Sequence, residues 1–352
     1  MVIETEKKRK QLQTIKYLNN KSNMKVIFIG GTGSSGTRVI RDILLTHSST
    51  YGINEEIRFI CDPDGLLDLI DCYTNNWTPY NAEIALRRFI YIMKCCFGEN
   101  ILDKQRNILY RMGINPHKYS YLNLSKAINM NNNTASRIVD VFINQIRLSI
   151  SDSYWFGSPK FEKRSFYETR YLDKEKINIA SIEMIKNFLR HYSGYSDNKF
   201  WVENTPFNLI QAHRLIKLFP NMKLLHVYRE PKDVISSFKY RNYGSNSDIT
   251  NAKRLLNIWK RWIDVKKVLP INSFIEFNLR DIVNDQEKMS KIICNFAGFN
   301  FEEDMLTVNL NKSNYGRWRN DIDSVNLGKV NKIFKPVYKE IDKLDSINKK
   351  WS

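Results

Sequence analysis

The chain has 352 residues, 42% of them hydrophobic, 12% aromatic and 26% charged. That composition is too apolar for a disordered chain and too long for a disulfide-stapled mini-protein. A formal charge of +18 favours polyanions such as phosphate or sulfate esters, acidic glycans, nucleic acid or acidic lipid, and it also fits a solvating Lys/Asn/Ile-rich surface bias.

The basic N-terminus has no apolar run behind it, and no stretch approaches the roughly 20 apolar residues of a membrane span. Five cysteines (Cys61, Cys72, Cys95, Cys96, Cys294) lack paired CxxC spacing, so neither a disulfide framework nor a zinc site is signalled. The expectation is a cytoplasmic, soluble protein with reduced thiols.

Residues 24–29 (MKVIFI) are a short β-branched run ending in Gly30 and Gly31, the pattern of a buried parallel strand. Beyond the glycine-rich turn, Val39, Ile40, Ile43 and Leu44 recur at helical spacing. Strand, glycine-rich loop and helix together form a phosphate-binding layout. Similar apolar runs at 200–203, 224–228 and 274–277 each precede a helical pattern, which predicts an α/β fold: a three-layer, P-loop-type architecture with a central, mostly parallel sheet.

Amphipathic segments near 80–96, 98–113, 135–150 and 179–194 carry little strand signal and read as a helical insertion. A last helix is expected at about 323–347, and 129–133 (NMNNN) reads as a mobile loop tip. The resulting parse is a polar extension at 1–23 and a single domain at 24–352, with 66–198 inserted and shaping an acceptor site.

The loop Gly31, Thr32, Gly33, Ser34, Ser35, Gly36, Thr37 offers unpaired amides, hydroxyls and a helix N-terminus to an anion. It lacks the lysine of an ATPase loop, because Thr37 stands there. Gly31-x-Gly33-x-x-Gly36 has dinucleotide spacing, yet no acidic ribose ligand is clearly placed beyond the next strand, although Glu55 and Glu56 lie about 20 residues on. In 228–238 (YREPKDVISSF), Arg229 ends a strand, Pro231 suits a first helical turn and Ser237 lies two turns in. An arginine fork and a hydroxyl so placed can hold a second phosphate.

These segments resemble the sulfotransferases that use 3′-phosphoadenosine 5′-phosphosulfate (PAPS), in motif style the tyrosylprotein and glycan branch. The loop resembles GxxxSGT, which in that family holds the 5′-phosphosulfate, and 228–238 resembles YRxPxDxxxSxx, whose arginine and serine hold the 3′-phosphate. Residues 201–206 (WVENTP) resemble WxEKTP, and Gly316, Arg317, Trp318 and Arg319 resemble a GRWR segment that closes over the nucleotide. The helical middle carries none of this likeness.

The resemblance implies sulfuryl transfer from PAPS, with 3′,5′-ADP as product and no metal, to a hydroxyl or amine of a glycan, peptidyl tyrosine or small metabolite, an acceptor that can be anionic. Ser34 and Asn204 replace two cations of the family, and Arg38 and Arg58 are the candidate substitutes, unless they merely pair with Asp42 or Glu55. Residues 54–58 (NEEIR) resemble a GEETR-like strand. Glu56 is then the proton acceptor, Arg58 a clamp, and Glu55 faces away, with Glu55 and His213 as alternative bases. His226 reads as a satisfied core residue. A P-loop kinase of a small substrate, and a catalytically degenerate anion or nucleic-acid binder, remain the competing readings; specific nucleic-acid binding and a membrane span are not expected.

Overall fold

The computed structural model describes residues 24–97, 124–151, 166–241, 244–310 and 315–348. In chain order the elements begin with β1 (Val26–Gly30), α1 (Thr37–Leu45), β2 (Thr50–Tyr51), α2 (Leu66–Asn75), α3 (Pro79–Cys96), α4 (Leu124–Ala127) and α5 (Asn132–Ile146). Then follow β3 (Arg147–Ser151), β4 (Phe166–Thr169), α6 (Lys174–Leu189), β5 (Phe200–Glu203), α7 (Asn208–Leu218), β6 (Lys223–Tyr228), α8 (Pro231–Tyr240) and α9 (Asp248–Lys266). β7 (Phe274–Asn278), α10 (Leu279–Asn284), α11 (Gln286–Ala297), α12 (Trp318–Asp321) and α13 (Ser324–Asn348) complete the chain. The described backbone divides into two compact units, one drawn from 25–52 and 197–348 and one drawn from 53–196.

The first unit is the α/β body. Its sheet runs β2-β5-β1-β6-β7 with every pair parallel, as the apolar runs predict. Central β1 is buried along its whole length, because strands flank it and helices cover both faces of the sheet. On one face Ile27, Ile29, Val202, Leu225 and Val227 pack with Ile40, Ile43 and Leu44 of α1 and Met289 and Ile293 of α11. Each such apolar side chain contributes about 1.5–3 kcal/mol on burial. On the other, Phe28 meets Trp201 and Phe219 edge-on at 5.8 and 5.5 Å. The predicted last helix is α13.

A buried polar knot ties the edge strand to this second layer. His226 and Glu276 face each other across β6 and β7. His226 Nδ1 lies 2.9 Å from Glu276 Oε1, which also accepts from Trp262 Nε1 at 2.6 Å. Lys266 Nζ reaches Glu276 at 3.3 Å and Glu340 of α13 at 2.5 Å. Burial holds the His226 ring below its ordinary 6.5 despite Glu276. For Glu276 burial works upward, but the His226 and Trp262 hydrogen bonds and the Lys266 charge hold the carboxyl below its ordinary 4.5. The pair is therefore a neutral ring donating to a carboxylate.

Acid then favours unfolding. The unfolded chain protonates His226 more readily, so stability falls once pH drops below 6.5, and Glu276 adds a second loss as pH falls through its folded value. Glu276→Gln is expected to cost about 3 kcal/mol at neutral pH, the scale for breaking a buried pair. Denaturant melts in a pH series check this: the gap to wild type should shrink toward acid, and a pH-independent gap refutes the assignment.

The second unit is mostly helical. Phe89 packs on Phe142 at 5.7 Å, and Phe188 on Phe59 at 5.9 Å and Phe97 at 4.8 Å. The helix expected at 135–150 starts at Asn132 and stops at Ile146, where the chain turns extended at Arg147 and forms β3, antiparallel to β4. The alternating RLSIS pattern suits a pleated strand with Leu148 and Ile150 exposed, a hairpin that the sequence reading missed. Asn131, expected in a loop tip, accepts from Thr134 N at 2.8 Å and caps α5. The expected 98–113 segment and the 1–23 extension lie outside the described residues. Among the described residues none of the five cysteines forms a disulfide, and no helix is long and apolar enough to cross a membrane.

Candidate functional site

Three stretches singled out in the sequence meet at the carboxyl ends of β1, β5 and β6, the end of a parallel sheet where ligands bind. The first loop leaves β1 between the other two strands. Gly31 N donates to Pro206 O at 2.9 Å, which fastens the loop to the turn after β5. Gly33 and Gly36 adopt φ of +80° and +108°, and Ser34 a left-handed φ of 53°. A Cβ on Gly31 would sit 2.1 Å from Ser35 Oγ and 2.8 Å from Val227 O, so only glycine lets the loop fold this close to β6.

The loop leaves several polar groups unspent. Ser35 is fully buried, and the Oγ atoms of Ser34 and Ser35 are buried without a hydrogen-bond partner among the described residues. Buried hydroxyls normally find partners, because an unsatisfied one costs on the order of 1–3 kcal/mol. α1 starts at Thr37 from Gly36 with no side-chain cap and no acidic residue in its first turn, so its amides and dipole stay available. Thr32 and Thr37 are buried, and Arg38 is exposed and makes no ion pair among the described residues. Arg38 is not spent on Asp42, whose carboxylate takes Arg41 at 2.6 Å.

After β5 the Glu203 carboxylate folds the next turn, accepting from Thr205 N and Oγ1 at 3.0 and 2.6 Å and from Asn208. Asn204 is 1% exposed, and both its amide atoms lack a partner among the described residues. A neutral donor thus stands where the sequence comparison expects a lysine, buried and unspent.

From β6 the chain passes through Arg229 into α8, with Pro231 at the first helical position. Arg229 is 8% exposed, lies 5.3 Å from the Tyr315 ring and pairs with buried Asp233 at 3.7 Å. Desolvation lowers its pKa, with Asp233 and Tyr315 opposing. Ser237 is half-buried on the next turn. The Phe238 ring lies 3.7 Å from where a Gly33 Cβ would stand, so α8 backs the first loop.

The Gly316 segment also reaches α8. Gly316 N and Trp318 N donate to Asp233 at 3.1 and 3.4 Å, and Ser236 Oγ bonds Asp321. Arg317 pairs with Asp321 at 2.9 Å and lies 4.0 Å over Tyr240. Trp318 has Lys232 Nζ 4.2 Å and Arg319 Cζ 4.9 Å from its ring centre, and Arg319 is exposed. Asp233, the pivot of this contact, carried no role in the sequence reading.

Glu56 and Arg58 lie in the other unit. Residues 54–58 do not form the expected strand: Asn54 and Glu55 lie in a bend, Glu56 and Ile57 are irregular, and a turn begins at Arg58. Without a strand the alternation argument separating Glu55 from Glu56 does not apply, and beyond them the chain curls through a turn in which Ile60 N bonds Ile57 O and Asp62 N bonds Arg58 O at 2.8 Å. Glu55 is exposed and Glu56 half-buried. Arg58 pairs with the fully buried Asp62 at 3.1 Å, not with Glu55. His213 lies 3.0 Å from Arg261 Nη2. No cluster of His, Cys, Asp and Glu suited to a metal occurs among the described residues.

Residues 129–303 match the model of a family described as "Sulfotransferase family". The match takes in Arg229 and Ser237, excludes the first loop and the Gly316 turn, and extends into the helical region where motif comparison finds no likeness. Similar solved structures include a sulfotransferase from Mycobacterium avium, at 12% identity over 94% of this chain and 80% of that one with a TM-score of 0.44. The sulfotransferase domain of the Synechococcus PCC 7002 olefin synthase is 16% identical over 80% and 75% of the two chains, with a TM-score of 0.40. A sulfotransferase from Alicyclobacillus acidocaldarius is 12% identical over 89% and 95%, also at 0.40. No curated protein matches the chain.

Proposed function

With residues 129–303 assigned to the sulfotransferase family, we propose that this protein moves a sulfuryl group from PAPS to a hydroxyl or amine of an acceptor. One observation carries the reading. Two buried, unpartnered serine hydroxyls at a glycine-rich helix start lie one strand away from a buried arginine, a layout with places for two separate anionic groups. ATP offers a single polyphosphate chain, whereas a 3′,5′-bisphosphorylated nucleotide offers two separated charges.

In this reading the loop amides, Ser35 and Thr37 hold the 5′-phosphosulfate, and Arg229 and Ser237 hold the 3′-phosphate. Arg317, Trp318 and Arg319 cover the nucleotide. PAPS supplies an activated sulfuryl group, whose bond to the leaving phosphate breaks as a bond to the acceptor oxygen or nitrogen forms. Glu56 takes the acceptor proton. Exposed Arg38 and the unspent amide of Asn204 offset the developing charge, with Arg58 as a second cation anchored by Asp62. Positioning and electrostatics dominate, as in phosphoryl transfer. No metal is required, the acceptor site belongs to 66–198, and the reaction is cytoplasmic.

Thermal melts with 3′,5′-ADP, with ADP and with ATP plus Mg²⁺ test this. A ligand at about 100 times its dissociation constant adds roughly 2.7 kcal/mol, so 3′,5′-ADP alone should raise the midpoint by several degrees. A shift confined to ATP plus Mg²⁺ would replace the reading with a kinase, and no shift with any nucleotide would leave a degenerate anion binder.

A further inference from the structure

One carboxylate serves both halves of the proposed nucleotide site. Asp233, 2% exposed, lies in the first turn of α8. Such a position ordinarily favours the helix dipole or a local cap. Here the two oxygens are spent elsewhere: Oδ2 lies 3.7 Å from Arg229 Nη2 and accepts from Gly316 N at 3.1 Å, while Oδ1 accepts from Trp318 N at 3.4 Å.

The rest of the helix face repeats the contact. Asp233, Ser236 and Tyr240 recur at i, i+3 and i+7, one stripe of a helix. Asp233 takes the turn's amides, Ser236 bonds Asp321, and Tyr240 lies under Arg317. Lys239 Nζ adds a bond to Asp321 O at 3.2 Å. Gly316 makes the seat possible through its φ of +75°, a conformation costly for any residue with a Cβ. Tyr315 packs on Arg229 from the same turn.

We infer that Asp233 is a positioning residue that couples recognition of a 3′-phosphate by Arg229 to the seating of the turn at 315–321. This rests on the donor reading above. The carboxylate aims the guanidinium and holds the turn's amides in place, so a phosphate that draws Arg229 toward itself acts on the same carboxylate that fixes the turn. Buried networks of this kind respond as a unit when one member is changed.

The test compares Asp233→Asn and Ser236→Ala with wild type, using calorimetric affinity for 3′,5′-ADP and for ADP, and the rate of tryptic cleavage after Arg317 and Arg319. Asp233→Asn should cut the preference for 3′,5′-ADP over ADP by about tenfold, the scale of one charge-assisted contact, and speed cleavage of the turn, with the ADP affinity falling by the smaller factor that a loosened turn alone accounts for. Ser236→Ala, which loosens the turn without touching the charge beside Arg229, should speed cleavage and lower 3′,5′-ADP affinity by a smaller factor.

Equal losses for both nucleotides, or an unchanged preference with unchanged cleavage, overturn the coupling. If Asp233→Asn does not fold, unchanged cleavage and preference in Ser236→Ala overturn it. A wild-type protein with no preference for 3′,5′-ADP sinks the donor reading instead. The tryptic comparison then decides by itself whether Asp233 seats the turn.

Discussion

Replacing Glu56 with glutamine is expected to lower turnover about 10²- to 10⁴-fold, the range for loss of a general base, and to leave the affinity for 3′,5′-ADP unchanged. Glutamine keeps the length and shape of the side chain and removes only its capacity to take a proton. A second signature separates this from a structural defect. An acidic phenol already ionised at neutral pH needs no base, so Glu56→Gln should transfer to it at close to the wild-type rate while failing with a simple phenol. Half-buried Glu56 and exposed Glu55 are adjacent outside any strand, so strand alternation does not choose between them, and Glu55→Gln is the matched control. Full activity in Glu56→Gln with loss in Glu55→Gln would move the role by one residue. Equal loss with both phenols would reduce Glu56 to a part of the scaffold.

The α/β body was legible because its strands obey the simplest pattern. β1, β5, β6 and β7 lie within a covered parallel sheet, and their runs are correspondingly continuous and apolar. Glycines at 31, 33 and 36 announced a tight strand-to-helix turn, and the arginine-to-serine spacing marked the place proposed for a second anion. What stayed hidden depends on distance along the chain. Asp233 in a first helical turn looks like any dipole-favouring aspartate, and its partners stand 83 and 85 residues away. No local signal encodes such a contact. The orphaned amide of Asn204 is equally invisible, since burial without a partner is a property of the folded neighbourhood. Two failures were local. The strand expected at 54–58 came from motif likeness alone: Ile53 and Ile57 stand four apart, a spacing that one face of a strand and one face of a helix both allow, so the pattern itself did not argue for a pleat. The helix expected to 150 overran because an alternating RLSIS tail was read as one more helical turn. Glu276, by contrast, was a readable clue: a carboxylate inside an apolar strand needs a partner, and His226 occupies the matching position of the neighbouring strand.

The second large effect is expected at Arg229. Its guanidinium is 8% exposed and lies between Asp233 and the Tyr315 ring. Desolvation works against its charge, so the side chain is held at a cost that a bound phosphate would offset. Arg229→Ala should weaken 3′,5′-ADP by about 1.5–3 kcal/mol, the worth of hydrogen bonds to a charged group, which is roughly 10- to 150-fold in dissociation constant. ADP, which lacks the 3′-phosphate, should bind as before. The alanine variant also strands the Asp233 carboxylate, so its melting temperature should fall without ligand; Arg229→Lys separates the two effects. Lysine restores the charge beside Asp233, and with it most of the stability, but it cannot present the planar fork that grips a phosphate through two parallel bonds. A lysine variant that is stable yet still poor at telling 3′,5′-ADP from ADP would locate recognition in the geometry of the fork. One that regains full discrimination would show that charge alone suffices, and one in which neither variant changes discrimination would remove Arg229 from the nucleotide site.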